Sequence, residues 1–362
     1  MKSRSVTDFS PLNERSQSSV GMELIPCSFC PLCGKEGRQL YEGLEDWLFG
    51  VPGRWGIREC SDCGVAWPDL QPVAEDIPKL YSRYYTHRSL PSTLFATLRR
   101  AASQCVIGRM GYPVEYSKEI LPRLLSYVPS IERAGALDVM GLAPCKMGTL
   151  LDVGCGNGEF IERMRALGWS VTGVDPDPAA VEWGRSQGLE VFHGTVSDVP
   201  VSMRYDAITL NHVLEHVADP RRLLRECRKR LRPWTGTMVI TTPNIKSLGH
   251  WWFKGCWRGL EVPRHLLLFS PAALSDCVAG AGLCLRSIRT ETRLARMIYS
   301  PSVYAQKGSW NVGEGVNFNL STKCASYAFQ LLEDAMIQFK KDIGEEIYCV
   351  CTAPAENDGK GK

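Results

Sequence analysis

A short apolar strand that runs straight into three closely spaced glycines, Leu151-Asp152-Val153-Gly154-Cys155-Gly156-Asn157-Gly158, limits the possible folds more than any other stretch. Such a turn reverses the backbone tightly and lets a ligand approach the main chain with no Cβ in the way. Segments 148–153, 169–175, 189–193, 205–210, 237–242, 283–288 and 347–352 read as strands, and helices fall between them. Phe160, Ile161, Met164 and Leu167 mark one helical face, closed by Gly168. Asp177-Pro178, Asp219-Pro220 and Ser270-Pro271 each place a capping side chain before a first-turn proline. The alternation predicts an α/β fold with a parallel-type sheet covered on both faces, and ligands of such sheets collect at strand-to-helix turns.

The glycine spacing is G-x-G-x-G, not the G-x-G-x-x-G of dinucleotide binders. Asp175 ends the second strand, 21 residues after Gly154, where a carboxylate accepts hydrogen bonds from both ribose hydroxyls. Asp198 follows the third strand, placed to accept from an adenine amino group. Together these residues describe an adenosine pocket without a pyrophosphate cradle.

Through LLDVGCGNGEF, GVDPDP, YDAITLNHVLEHVADP and TTPN the chain resembles the class I S-adenosylmethionine-dependent methyltransferases over roughly residues 148–353. The resemblance implies a Rossmann-like seven-stranded sheet and S-adenosyl-L-methionine as cofactor. It implies that Gly154, Gly156 and Gly158 line the methionine and ribose part, that Asp175 binds ribose and Asp198 adenine, and that Asn211 and His212 lie beside the cofactor. Asp152, Asn157, Pro176 and Val199 complete the expected cofactor-binding set. One departure is Pro233-Trp234-Thr235-Gly236, where family members often carry Pro-Gly-Gly; it should alter a turn and spare the cofactor site.

Upstream, Cys30-Pro31-Leu32-Cys33-Gly34 and Cys60-Ser61-Asp62-Cys63-Gly64 repeat the pattern C-x-x-C-G, with 26 residues between them. Two residues between thiolates let one tight turn offer both sulfurs to one ion, and two such turns complete a tetrahedron. Four thiolates with no open position favour a structural Zn2+, so residues 25–67 read as a zinc ribbon with Cys30, Cys33, Cys60 and Cys63 as ligands. Cys27 forms a competing pair with Cys30 and is the reserve ligand. The remainder divides into a tail (1–24), a helical connector or cap (68–147), the methyltransferase domain (148–353) with an insertion near 300–345, and a second tail (354–362). In the connector, Leu94, Leu98, Ala101 and Cys105, then Ile120, Leu124 and Leu125, recur at helical spacing. A helix through Tyr327, Leu331, Leu332 and Ile337 is expected in the insertion. The ribbon with Tyr84-Tyr85-Thr86-His87 and the segment from Trp257 to Leu266 further resembles bacterial methyltransferases of polysaccharide and specialised-product synthesis that carry an N-terminal CPxCG ribbon.

Methyl transfer to a hydroxyl needs alignment, exclusion of water and one base. His265, His216 and His212 are the candidates; the last two are four residues apart, on one face if a helix begins there. Ubiquinone-pathway O-methyltransferases carry a similar segment that holds a divalent ion, but their first carboxylate position is His212 here and only Glu215 and His216 match, so no catalytic metal is expected. Trp251, Trp252, Phe253 and Trp257 offer either an apolar wall for the acceptor or core packing.

The net charge of +3, from 42 Lys+Arg against 39 Asp+Glu, excludes a surface built throughout to grip nucleic acid or anionic lipid. No apolar run is long enough to span a membrane. The opening segment lacks the apolar stretch of a signal peptide, which leads to the expectation of a cytoplasmic protein. The expected acceptor is a small molecule or a carbohydrate-linked (glycan-type) intermediate, methylated at oxygen. An RNA methyltransferase of the ribosomal guanine type also places a zinc module before this fold. Between Cys27 and Cys63, however, Lys35, Arg38, Arg54 and Arg58 face Glu36, Glu42, Glu45, Asp46, Glu59 and Asp62, which disfavours phosphate binding. A sugar C-methyltransferase would carry a longer C-terminal domain, and a non-catalytic docking protein would not need the intact glycines and carboxylates.

Overall fold

The computed structural model of the chain describes residues 16–17, 21–81, 94–114, 119–144, 148–310 and 318–354. The strands are β1 (Ser16–Gln17), β2 (Glu23–Pro26), β3 (Arg38–Leu44), β4 (Trp55–Glu59), β5 (Ala66–Pro68), β6 (Leu70–Pro72), β7 (Thr149–Val153), β8 (Ser170–Asp175), β9 (Glu190–His193), β10 (Ala207–Asn211), β11 (Thr237–Pro243), β12 (Cys284–Glu291) and β13 (Glu346–Thr352). The helices are α1 (Leu94–Arg109), α2 (Ile120–Leu125), α3 (Pro129–Leu137), α4 (Glu159–Ala166), α5 (Pro178–Ser186), α6 (Pro220–Arg230), α7 (Leu248–Phe253), α8 (Pro271–Gly280), α9 (Ala295–Gln306) and α10 (Leu320–Met336).

All seven expected strands form one sheet, in the order β12-β13-β11-β10-β7-β8-β9. The sheet is parallel except for β13, which runs antiparallel to β11 and β12 on either side of it. Alternate residues of each strand feed two cores, as the period of two requires. Leu151, Val153, Ile208 and Met238 point to α6 and α8, while Leu150, Ala207, Val239 and Tyr348 point to α4, α5 and the segment after α3. Asp177, Asp219 and Ser270 cap α5, α6 and α8 by accepting from Ala179 N, Arg222 N and Ala273 N, with proline next in each case. Trp234 occupies the turn before β11 at φ +68°, in the left-handed conformation that the missing glycine would adopt freely.

The cysteine-rich unit is a three-stranded sheet, β3-β4-β5, with β3 and β4 between the two C-x-x-C-G turns and β5 after the second. It shares the main core, since Cys30, Leu32, Cys60, Val65 and Trp67 pack with the residues beneath β7, β10 and α8. Ala66 and Leu268 exchange backbone hydrogen bonds of 2.9 and 2.7 Å, and Arg221 donates to Leu32 O at 2.7 Å.

Two expected boundaries are corrected by packing. Met22 and Leu24 are buried and β2 pairs with β6, so ordered structure begins before residue 25. Residues 70–81 form β6 and a 3-10 turn, so the helical part of the connector starts only at α1; Tyr84, Tyr85, Thr86 and His87 lie outside the described residues. Ile120 and Leu124 are exposed, whereas Ala102, Cys105 and Val106 of α1 are buried. In the expected helix α10, Phe329 is buried together with Thr322, Ser326 and Glu333, while Tyr327, Leu331 and Leu332 are exposed.

Candidate functional site

Gly154, Gly156 and Gly158 take φ of +71°, +51° and +70°, the left-handed region where only glycine is unstrained. Their surroundings differ. A Cβ on Gly154 would lie 2.6 Å from Val213, and one on Gly158 would lie 2.9 Å from Trp183, so both are closed by packing. A Cβ on Gly156 would meet nothing within 4 Å. The space over the turn is therefore open at its centre, where a ligand can lie against the backbone.

Asp175, at the end of β8, accepts from Gly156 N (2.8 Å) and Asp177 N (2.8 Å) and so ties the open turn to the next helix start. Burial raises its pKa despite those two bonds. Asp152 lies beneath the turn and accepts from Thr209 Oγ1 at 2.7 Å; burial pushes its carboxyl up to about 7. Asn157 Oδ1 accepts from Glu159 N at 3.3 Å, at the start of α4. Asn211, exposed at the end of β10, accepts from Thr241 Oγ1. Pro176 is exposed, with its carbonyl 3.2 Å from His193 Nε2.

Two expected contacts have other duties. Asp198 accepts from Thr195 N and Oγ1 in a capping box that lowers its pKa. Val199 is fully buried, its N–H donating to Val196 O and its carbonyl accepting from Arg230 Nε, so both of its backbone groups are engaged in the core.

His212 follows Asn211 in a left-handed conformation, φ +55°. Its Nδ1 lies 3.1 Å from Glu215 Oε1 and its Nε2 lies 2.7 Å from Glu346 Oε1. Burial opposes the charge, yet the two carboxylates raise the imidazole to about 9 and are themselves held near 2. His212 is thus an imidazolium at neutral pH, which suits it for clamping and not for accepting a proton. Glu215 also accepts from Thr242 Oγ1, and Glu346 from Arg293 Nη2 at 2.8 Å. Glu215 stands only three residues from His212, whereas Glu346 was not legible as a partner, because β11 and the insertion separate it from His212.

His212 and His216 do not share a helical face, since Leu214–His216 is a short 3-10 turn and α6 starts only at Pro220, where Asp219 caps it. His216 Nδ1 lies 2.8 Å from the Tyr81 hydroxyl and 3.2 Å from Arg264 O, and the ring sits 4.8 Å from that of His265. His265 is buried; its Nδ1 donates to Gly259 O (2.8 Å), and burial lowers its pKa to about 4. It is therefore neutral, with its basic nitrogen at Nε2. Glu215, His216 and His265 bring ligand atoms within 4.8 Å of one another, a donor set able to hold a divalent ion. The tertiary fold supplies His265 as the third member, which spacing could not reveal.

The aromatic segment divides. Phe253 and Trp257 are core, with Trp257 Nε1 donating to Glu345, whereas Trp251 and Trp252 are 70% and 50% exposed and form no wall at the glycine turn. At the far side, Cys30, Cys33, Cys60 and Cys63 converge, with Sγ distances of 3.6 Å (Cys30 to Cys63) and 3.5 Å (Cys33 to Cys60) and all four within 4.8 Å of one another. Gly34 and Gly64, at φ +74° and +71°, make the matched turns. Cys27 Sγ points to Ile25 O and stands outside the cluster. Cys155 is buried and packs over Gly173 as a small residue.

The family model described as a methyltransferase domain matches residues 116–288. The ubiquinone biosynthesis O-methyltransferase of Marinobacter nauticus is 30% identical over 188 residues, 47% of this chain and 73% of that protein. The mitochondrial ubiquinone biosynthesis O-methyltransferase of Schizosaccharomyces pombe is 36% identical over 102 residues, 26% of this chain and 37% of that protein. The chain spans less than half the length of the first two curated relatives, 37% and 46%. Among solved structures, a putative sarcosine dimethylglycine methyltransferase from Galdieria sulphuraria is 17% identical, with 64% of this chain and 88% of that one covered at a TM-score of 0.41. With its glycine turn, its strand order and a relative matched over nearly three quarters of its length, the chain belongs to the class I S-adenosylmethionine-dependent methyltransferases.

Proposed function

We propose that the protein is an S-adenosylmethionine-dependent methyltransferase acting on the oxygen of a small-molecule acceptor. The observation that carries this reading is the open centre of the glycine turn at Gly156, backed by Asp175. Gly156, Asn157 and Asp175 would hold the cofactor, with Asp198, whose Oδ2 serves the capping box, offering Oδ1 at the adenine side, and Asn211 and His212 at the methyl side. When bound, that cofactor supplies a methyl group already activated on a sulfonium. The protein's own task is to position the acceptor, exclude water and take one proton. His216 is suited to the last role: its Nδ1 is committed to Tyr81 and Arg264 O, which leaves Nε2 for the proton, and the tilted ring of His265 lies beside it as a neutral partner.

The relatives' names speak for oxygen as the accepting atom, and nothing in the comparisons favours a carbohydrate-linked acceptor. The ribbon is ill suited to RNA, because Lys35, Arg38 and Arg54 are each paired with a carboxylate, Asp62, Glu59 and Glu45 respectively. We further propose a structural Zn2+ on the four thiolates of the ribbon, a set with no open position for catalysis. Calorimetry with S-adenosylhomocysteine, followed by incubation of the protein with methyl-labelled cofactor and cell extract, tests the function. Binding and label in a small-molecule fraction are expected. Absence of binding, or label in RNA alone, would overturn the proposal.

A further inference from the structure

Glu346 Oε1 accepts from His212 Nε2 at 2.7 Å and from Arg293 Nη2 at 2.8 Å, so one carboxylate oxygen links the end of β10 to the segment after β12. Beyond Arg293, one helical turn on, stands Arg296, its guanidinium 4.4 Å above the ring of Tyr327 on α10. The arginines of this region fall into two kinds. Arg133 pairs with Asp334 and Glu291, and Arg289 with Glu291, as arginines that only brace the fold do, whereas Arg293 pairs with Glu346 through Nη2 and keeps its Nε without a partner among the described residues. Arg296 and Arg99 have no carboxylate within ion-pairing distance among the described residues. Arg99, on α1, is lowered in pKa by desolvation first and then by the charges of Arg296 and Arg293, with Asp138 and Tyr327 offsetting part of that effect. The Nε atoms of Arg293 and Arg296 are both buried without a hydrogen-bond partner among the described residues. Buried cationic donors left without acceptors are costly, and like charges gathered together add to the cost. A bound anion relieves both.

We propose that Arg296 and Arg293, with Arg99 at the rim, bind an oxyanion group, carboxylate or phosphate, carried by the methyl acceptor. The inference rests on the methyltransferase reading for calling the ligand an acceptor, and it narrows the acceptor class to acids. A planar guanidinium offers two parallel donors to either oxyanion, and its stacking on Tyr327 fixes the plane of that fork. Tyr327, 41% exposed, also offers an aromatic face beside the anion. Because Glu346 joins Arg293 to His212, the anion would seat the acceptor one side chain away from the methyl side of the cofactor.

The test is titration of the full chain, saturated with S-adenosylhomocysteine, with three probes: benzoate, phenyl phosphate and the neutral benzyl alcohol. At least one anion should bind more tightly than the alcohol, and the preferred anion identifies carboxylate or phosphate. Arg296→Gln should weaken that anion by about tenfold or more, Arg296→Lys should restore part of the loss, and Arg99→Gln should weaken it less and flatten its salt dependence. S-adenosylhomocysteine affinity should stay unchanged in every variant, which also reports that each is folded. Equal binding of alcohol and anions, or anion binding indifferent to Arg296, overturns the proposal. Failure of S-adenosylhomocysteine to bind the wild type would instead bring down the cofactor reading, a result distinct from loss of the anion.

Discussion

His212 is positively charged because two buried carboxylates meet its ring, and this sets a definite pH dependence. Its folded pKa, about 9, lies above the ordinary 6.5, so its contribution to stability is complete below pH 6.5 and is lost as pH rises toward 9. Glu215 and Glu346, held near 2, contribute above their ordinary 4.5 and lose that contribution as pH falls toward 2. His212→Gln is expected to lower Tm by on the order of 5 °C at pH 6.5, with the gap to wild type narrowing by pH 9. Thermal denaturation across that range is the check, and a gap that stays constant would mean the ring is neutral. The glycines separate by a second residue-scale prediction. Gly156→Ala places a methyl group in open space, so it should cost about 1 kcal/mol of stability through backbone strain and at least about tenfold in S-adenosylhomocysteine affinity. Gly154→Ala meets Val213 and should lower Tm further. Calorimetry beside melting curves distinguishes the two.

At the scale of elements, the two C-x-x-C-G turns are the strongest local statement in the chain. Each closes with a bond from glycine N to the first cysteine O, 2.9 Å for Gly34 and 3.0 Å for Gly64, and each delivers two sulfurs to one point. Purified protein is expected to carry about one zinc per chain. Cys63→Ser should remove it and lower Tm, whereas Cys27→Ser, outside the cluster, should leave metal content unchanged. Folded protein free of zinc would contradict the assignment. Spacing was sufficient here because two residues between ligands define the turn locally. The shared face of His212 and His216 required a helix to begin there, and none does: α6 starts at Pro220, where Asp219-Pro220 marked its start in the sequence, and residues 214–216 form a 3-10 turn.

The whole molecule is built so that the cysteine-rich unit and the seven-stranded sheet share one core. Arg264, fully buried, forms a two-pronged pair with Asp46 at 2.9 and 2.9 Å and lies over the ring of Phe49. Asp46 in turn accepts from the N–H groups of Leu48, Phe49 and Val51, so the pair fastens the loop between β3 and β4 to the segment after β11. Removing one partner strands a buried charge. Asp46→Ala should therefore cost about 3–5 kcal/mol, and the double change Asp46→Leu with Arg264→Met should cost less than Asp46→Ala alone. Chemical denaturation of the set decides; a double variant worse than the single one would show that the pair's geometry matters more than the burial of charge.

The seven strands, the capped helices, the glycine turn and the two matched cysteine turns were all legible in the amino-acid sequence. Each depends on neighbours a few residues away, through periodicity, capping or turn conformation. The antiparallel course of β13, the burial of His265, the pairing of Arg264 with Asp46 and the clamp of Glu215 and Glu346 on His212 were decided only by tertiary structure. They join residues up to 218 positions apart, and a charge far along the chain leaves no trace in local pattern. Asp198 and Val199 show the same division. The Thr195–Asp198 capping box is local, within three residues, whereas the core that encloses Val199 emerges only once the chain has folded.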